Sequence, residues 1–268
     1  MTDWTIFKAA LTLRRVSLAW YALGLIAYGW MMVAFYPLIA QNPEYLEIVK
    51  DLFTDELMAA FGGVGLEFST LGGFMSIEYL SLMWVFIVGA AVIIFAAGEL
   101  AGAVEDGTME VTLAQPVSRV SVALTRYLAL VTYAAALCLV TVLTIYLAGL
   151  LHGVDVPIDA MALLFVACLV VALALGGLAF MISAMTTGKG RTIGVTLGVM
   201  VAMYLANVLG SLSARFSWLS RLSLFNYWKP NEVIDDLVVA PSTWLVFGIA
   251  AVVFFAVGIY AFQKRDVV

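Results

Sequence analysis

Charge is missing from six long stretches of this chain: residues 16–43, 79–98, 127–151, 160–188, 192–214 and 237–263. Each exceeds the roughly 18 residues that an apolar helix needs to cross a bilayer. Composition agrees, because 64% of the 268 residues are hydrophobic and 12% charged, against about 25% charged in a soluble domain. A transmembrane barrel is excluded, since its strands alternate and need only about 9–11 residues each. The fold class is therefore all-α: a polytopic membrane protein, one domain over 1–268. Its spans are expected near 16–40, 79–98, 121–151, 160–186, 192–213 and 243–262.

Lysine and arginine placement orients these spans. With the N-terminus cytoplasmic, the inner segments hold Lys8, Arg14, Arg15, Arg119, Arg126, Lys189, Arg191, Lys264 and Arg265, nine of the thirteen basic residues. Twelve of the eighteen acidic residues fall outside. That is the positive-inside pattern, with both termini cytoplasmic in a cell membrane. Residues 2–15 do not read as a secretory signal, because Arg14 and Arg15 follow an amphipathic segment and the apolar run after them is too long. Cys138, Cys168 and His152 cannot supply a Cys/His metal site within one subunit, and no metal, resident cofactor or nucleic-acid partner is expected.

The polar stretch from 99 to 119, ELAGAVEDGTMEVTLAQPVSR, separates the second and third spans. It holds Glu99, Glu105, Asp106, Glu110 and Arg119, with Arg126 just beyond. Gly107 breaks the pattern, Thr108 is placed to cap a short helix over 109–114, Pro116 stops it and Ser118 caps the next span. Two readings stand: an interfacial helix offered to a soluble partner, or a solvated loop.

This stretch resembles the signature loop of ABC type-2 transporter permeases. Glu105, Gly107, Thr108, Glu110, Leu113, Pro116, Val117, Ser118 and Arg119 carry the match, with Met109 and Leu113-Ala114-Gln115 departing from the usual residues. The ending Phe262, Arg265, Asp266 is similar to the family's last span. The stretch from 35 to 63 is similar to an actinobacterial, antibiotic-exporter-like subgroup. The resemblance implies a permease subunit of an ABC exporter, working as a homodimer or with a similar permease and moving a lipophilic or amphipathic compound. ATP and Mg would sit on a separate ATPase subunit, not on this chain. The ATPase-coupling residues implied are Glu99, Glu105, Gly107, Thr108, Glu110, Val111, Leu113, Pro116 and Arg119. Arg119 and Arg126, seven apart, share a helix face and answer acids on the partner, lipid phosphates or Glu99 itself.

Elsewhere, residues 2–15 suit either an interfacial helix under the inner leaflet or an extension of the first span. Tyr36-Pro37 predicts a kink or early exit. The outer segment 42–77 begins with an amphipathic helix at 42–61. It carries an acidic stripe, Glu44, Glu47, Asp51 and Asp55, that faces solvent or attracts cations or a basic partner. A glycine-rich part follows at 65–77 that re-enters or skirts the surface. Thr196, Asn207 and Ser211 on the fifth span face a translocation path, or bond back to their own helix. Residues 214–241 are an outer, re-entrant segment whose aromatics Trp218, Phe225, Tyr227 and Trp228 suit a membrane interface. Thr186–Arg191 fails as a phosphate loop, because Ser183 stands where the first glycine belongs and Gly190 follows the lysine. With no catalytic constellation, an intramembrane enzyme is not expected. An ion-gradient-driven secondary transporter is the alternative, but no internal repeat or midspan ionisable group supports it.

Overall fold

The computed structural model describes residues 3–40, 42, 69–212 and 214–265. These residues form helices and connecting turns, with no strand among them. The α-helices longer than a single turn are α1 (Asp3–Ala40), α2 (Leu71–Met75), α3 (Met83–Ala97), α4 (Thr108–Leu113), α5 (Arg119–His152), α6 (Ile158–Met185), α7 (Lys189–Leu212), α8 (Ser217–Leu222), α9 (Pro230–Asp235) and α10 (Pro241–Lys264). Two π-helical turns, Ser76–Leu80 and Gly98–Gly102, flank α3.

Among the described residues, six helical segments are long and apolar enough to cross a membrane. The segment containing α3, and helices α5 and α6, form the centre: 72, 56 and 67% of their most apolar windows are buried, against 22% for α1, α7 and α10. Helix α6 packs against α10, α3 and α5, and α1 lies along α5. The interior is aromatic and close-packed. Trp84, fully buried, donates its indole N–H to Thr141 Oγ1 at 2.9 Å. Phe95 meets Tyr133 at 4.8 Å between ring centres. Burying the indole without that acceptor would leave a polar group desolvated, so tryptophan and threonine are matched across α3 and α5.

The outward faces are apolar too. Trp20 and Leu38 on α1, Leu205 and Leu209 on α7, and Ile249 and Val252 on α10 are all exposed. A helix in water keeps a polar side, whereas one that is apolar all round belongs in lipid. The chain is a multi-pass helical membrane protein.

Several boundaries differ from the sequence expectation. Helix α1 is unbroken from Asp3 to Ala40, so residues 3–15 extend the first span and are not a separate interfacial helix. At 38 residues it is about 57 Å long, far beyond the ~30 Å hydrocarbon layer. It runs through Pro37 without an early exit, because a proline one turn from the end removes only one hydrogen bond. Residues 71–77 do not skirt the surface: they are buried helix leading into α3. Asp235 anchors that entry, accepting from Gly72 N and from Thr70 Oγ1, each at 2.8 Å. Trp228 is turned into the bundle. It is 5% exposed, lies tilted against Trp84 with ring centres 5.9 Å apart and donates to Leu80 O at 2.9 Å, which ties the 214–241 segment into the bundle. The acidic helix expected at 42–61 lies, Asn42 apart, outside the described residues.

Candidate functional site at the basic end of the bundle

The segment between the second and third spans begins where α3 widens into the π-turn Gly98–Gly102. A π-turn leaves backbone groups poorly paired. Ser183 of α6 fills the gap, accepting from Ala101 N at 2.9 Å and donating to Ala97 O at 3.5 Å. The chain then reverses at Gly107, whose φ of 71° is left-handed and disfavours any side chain by about 1–2 kcal/mol. Gly107 is thereby the N-cap residue of α4, and Thr108 is its first helical residue. Thr108 does not cap; its hydroxyl donates back to Ala103 O at 3.2 Å. Helix α4 ends before Pro116, and Ser118 caps α5 by accepting from Ser121 N at 3.1 Å.

Helix α4 has one face clamped and one face free. Met109 is fully buried and Leu113 is half-buried against the core, whereas Glu110 is exposed and Val111 is 69% exposed. Both flanks are fastened to other spans. Glu105 Oε2 accepts from Lys189 N at 2.7 Å, placing a carboxylate on the first amide of α7, where unpaired N–H groups and the helix dipole favour it. Arg119 donates to the carbonyls of Gln263 (3.5 Å) and Arg265. Arg265 in turn donates to Ser183 O and Ala184 O at 3.2 and 3.4 Å, and burial draws its pKa below the usual guanidinium value. These contacts also place Arg119, Lys189 and Arg265 at one end of the bundle.

Beneath α4 lies a buried ionic cluster. Glu99 is 6% and Arg126 9% exposed. Arg126 Nη1 donates to the Glu99 carbonyl, and Arg14 Nε stands 3.8 Å from Glu99 Oε1. Gly98 makes room for this, since a Cβ there would land on the Arg14 guanidinium. Gly98→Val is therefore expected to displace the Arg14 guanidinium from Glu99 and lower stability by about 1 kcal/mol. At Gly102 the nearest atom to an added Cβ is 3.4 Å away, so Gly102→Ala should change the melting temperature in detergent far less. Equal melting temperatures for the two variants would contradict this.

The residues singled out from sequence thus separate into two groups. Glu99 is buried, Gly107 shapes the turn, and Glu105, Thr108 and Arg119, of which Glu105 and Thr108 are exposed, hold α4 through bonds to backbone groups. Glu110, Val111 and Pro116 face out, with Leu113 at the edge. Of the fifth-span residues, Thr196 donates to Thr192 O and Ser211 to Asn207 O, at 2.7 and 2.9 Å, so both hydroxyls bond within their own helix. Asn207 is 5% exposed, and its Oδ1 has no hydrogen-bond partner among the described residues. Sequence reasoning missed Arg14 and Ser183. Arg14 was legible in principle: it and Glu99 both border charge-free runs at the same membrane depth, where opposite charges pair. Ser183 carries no such signal.

Residues 18–268 match the model of a family described as "Protein of unknown function (DUF2705)". No curated protein matches the chain.

Proposed function

The chain belongs to the DUF2705 family, and we propose that it is the membrane permease subunit of an ABC type-2 exporter. On this reading the basic end is cytoplasmic and α4 is the coupling helix, seated in a groove of a separate ATPase. That ATPase binds ATP and Mg and hydrolyses the nucleotide. Two six-span subunits enclose the path, as a homodimer or with a similar permease, and the cargo is lipophilic or amphipathic.

The observation that carries the reading is the mount of α4. A six-residue helix has no stability of its own in water. This one is held by Met109 below, Glu105 on α7 and Arg119 on α10, and it presents Glu110 and Val111 outward. A solvated loop needs no such bracing, whereas a part that transmits force needs it. The resemblance of Glu105–Arg119 to the family's signature loop supports the same assignment.

Orientation is the first test. Thr187 is exposed in the turn between α6 and α7, and both native cysteines are buried, so background labelling should be low. Thr187→Cys should react with an impermeant maleimide only after the cytoplasmic face is opened. Labelling in sealed cells would place α4 outside, away from any ATPase, and the reading would fail.

A further inference from the structure

A cavity of about 370 Å³ opens between the N-terminal turns of α1 and the root of α4. Ile6, Leu13, Arg14, Glu99, Asp106 and Arg126 are among its walls. Its deep part holds two guanidinium groups and one carboxylate. The Nε–H of Arg14 and that of Arg126 are both buried with no hydrogen-bond partner among the described residues. The 3.8 Å from Arg14 Nε to Glu99 is an ion-pair distance, too long for a hydrogen bond. Buried donors are nearly always satisfied, and those of arginine suit the oxygens of a phosphate group. At the mouth the sign reverses, because Asp106 is an exposed carboxylate. A simple anion entering would meet that charge, whereas a ligand with a phosphate at one end and a cation at the other would be matched at both.

The surroundings indicate where such a ligand comes from. Leu13, on the rim, is 80% exposed, and Val16 one turn further along α1 is 60% exposed. Lys8 Nζ lies 5.1 Å from the ring of exposed Trp4, a pairing suited to a headgroup layer. The cavity therefore sits where α1 leaves the apolar layer, with a greasy track leading to it.

We propose that this cavity binds a phosphoethanolamine lipid headgroup from the adjoining leaflet. Arg14 and Arg126 take the phosphate, Asp106 takes the ammonium, and the acyl chains lie along Leu13 and Val16. The site shares a wall with α4, through Thr108 and Thr112, so a bound lipid would brace that helix from beneath. The assignment is independent of any ATPase.

Native mass spectrometry of the full chain tests it, with phosphatidylethanolamine and phosphatidylglycerol supplied in equal amounts. Wild type should retain phosphatidylethanolamine preferentially. Arg14→Gln should weaken retention about tenfold, the scale of one hydrogen bond to a charged group, and Arg14→Lys less. Asp106→Asn alters only an exposed side chain, so it should leave the fold intact, keep lipid bound and abolish the preference. Inorganic phosphate should not displace the lipid. Equal retention of the two lipids by wild type, an unchanged preference in Asp106→Asn, or displacement by inorganic phosphate alone would each overturn the proposal.

Discussion

Arg126→Leu is expected to leave little folded chain. The guanidinium is buried at the foot of α5, donates to the carbonyl of Glu99 and lies beside its buried side chain. Removing it leaves a desolvated carbonyl in the π-turn and a carboxylate whose remaining partner, Arg14, is 3.8 Å away. Breaking a buried charge pair costs about 3–5 kcal/mol, a large part of the roughly 5–15 kcal/mol that holds a domain together. The expected result is a collapse in the yield of monodisperse protein after detergent extraction. Arg126→Lys should recover part of it, because the charge returns without the planar fork. Adding Glu99→Gln to Arg126→Leu should also recover part, since no uncompensated charge then remains. Arg15→Leu is the control: Arg15 is one residue from Arg14 but exposed, and its loss should shift stability by less than about 0.5 kcal/mol. Similar yields for Arg126→Leu and Arg15→Leu would show that the cluster does not hold the basic end together.

The second large effect concerns function and leaves the fold alone. Val111 projects from α4 with 69% of its surface exposed and no structural duty. Val111→Asp should therefore keep yield and melting temperature near wild type. If α4 seats in a partner's groove, the same change buries an unpaired carboxylate at the centre of the contact, where a few apolar anchors carry most of the affinity. A loss of about 2 kcal/mol corresponds to roughly 30-fold weaker docking. Glu110→Gln, which removes a rim charge, should weaken it only a few-fold, mainly through the association rate. Leu113→Asp is a poorer probe, because that half-buried side chain also packs on the core. Met109→Asp would unfold α4 outright, since Met109 is fully buried.

The bundle was legible in the sequence because charge is scarce in it. Six uninterrupted charge-free runs outline six spans, and their ends fall close to the helix ends except at the starts of α1 (Asp3) and α5 (Arg119), which lie well upstream of residues 16 and 127. Ser118 as a cap and Pro116 as a stop were equally readable, since both act through local backbone chemistry. What escaped is what depends on three-dimensional neighbours. The sequence offers Glu99 as one of three partners for Arg119 and Arg126; that it is buried, and that Arg14 joins it, comes only with the fold. Thr108 has the composition of a cap, but Gly107 takes the left-handed conformation and with it the capping position. Trp228 reads as an interfacial aromatic, and only the folding-in of the 214–241 segment brings it against Trp84. The π-turn at Gly98–Gly102 has no sequence signature at all, and neither do the bonds that Ser183, on another span, makes to Ala101 N and Ala97 O.

The central claim is that α4 passes work between this chain and an ATPase. It is tested most directly by purifying the chain from its native membranes, reconstituting the material in lipid vesicles and measuring ATP hydrolysis. The account predicts that a hydrolysing subunit co-purifies with the wild-type chain, that Val111→Asp loses that subunit and its activity while remaining monodisperse, and that Glu110→Gln keeps most of both. If no ATP-hydrolysing subunit accompanies the wild type, or if Val111→Asp retains it in full, α4 is not a coupling helix and the chain is not this kind of permease.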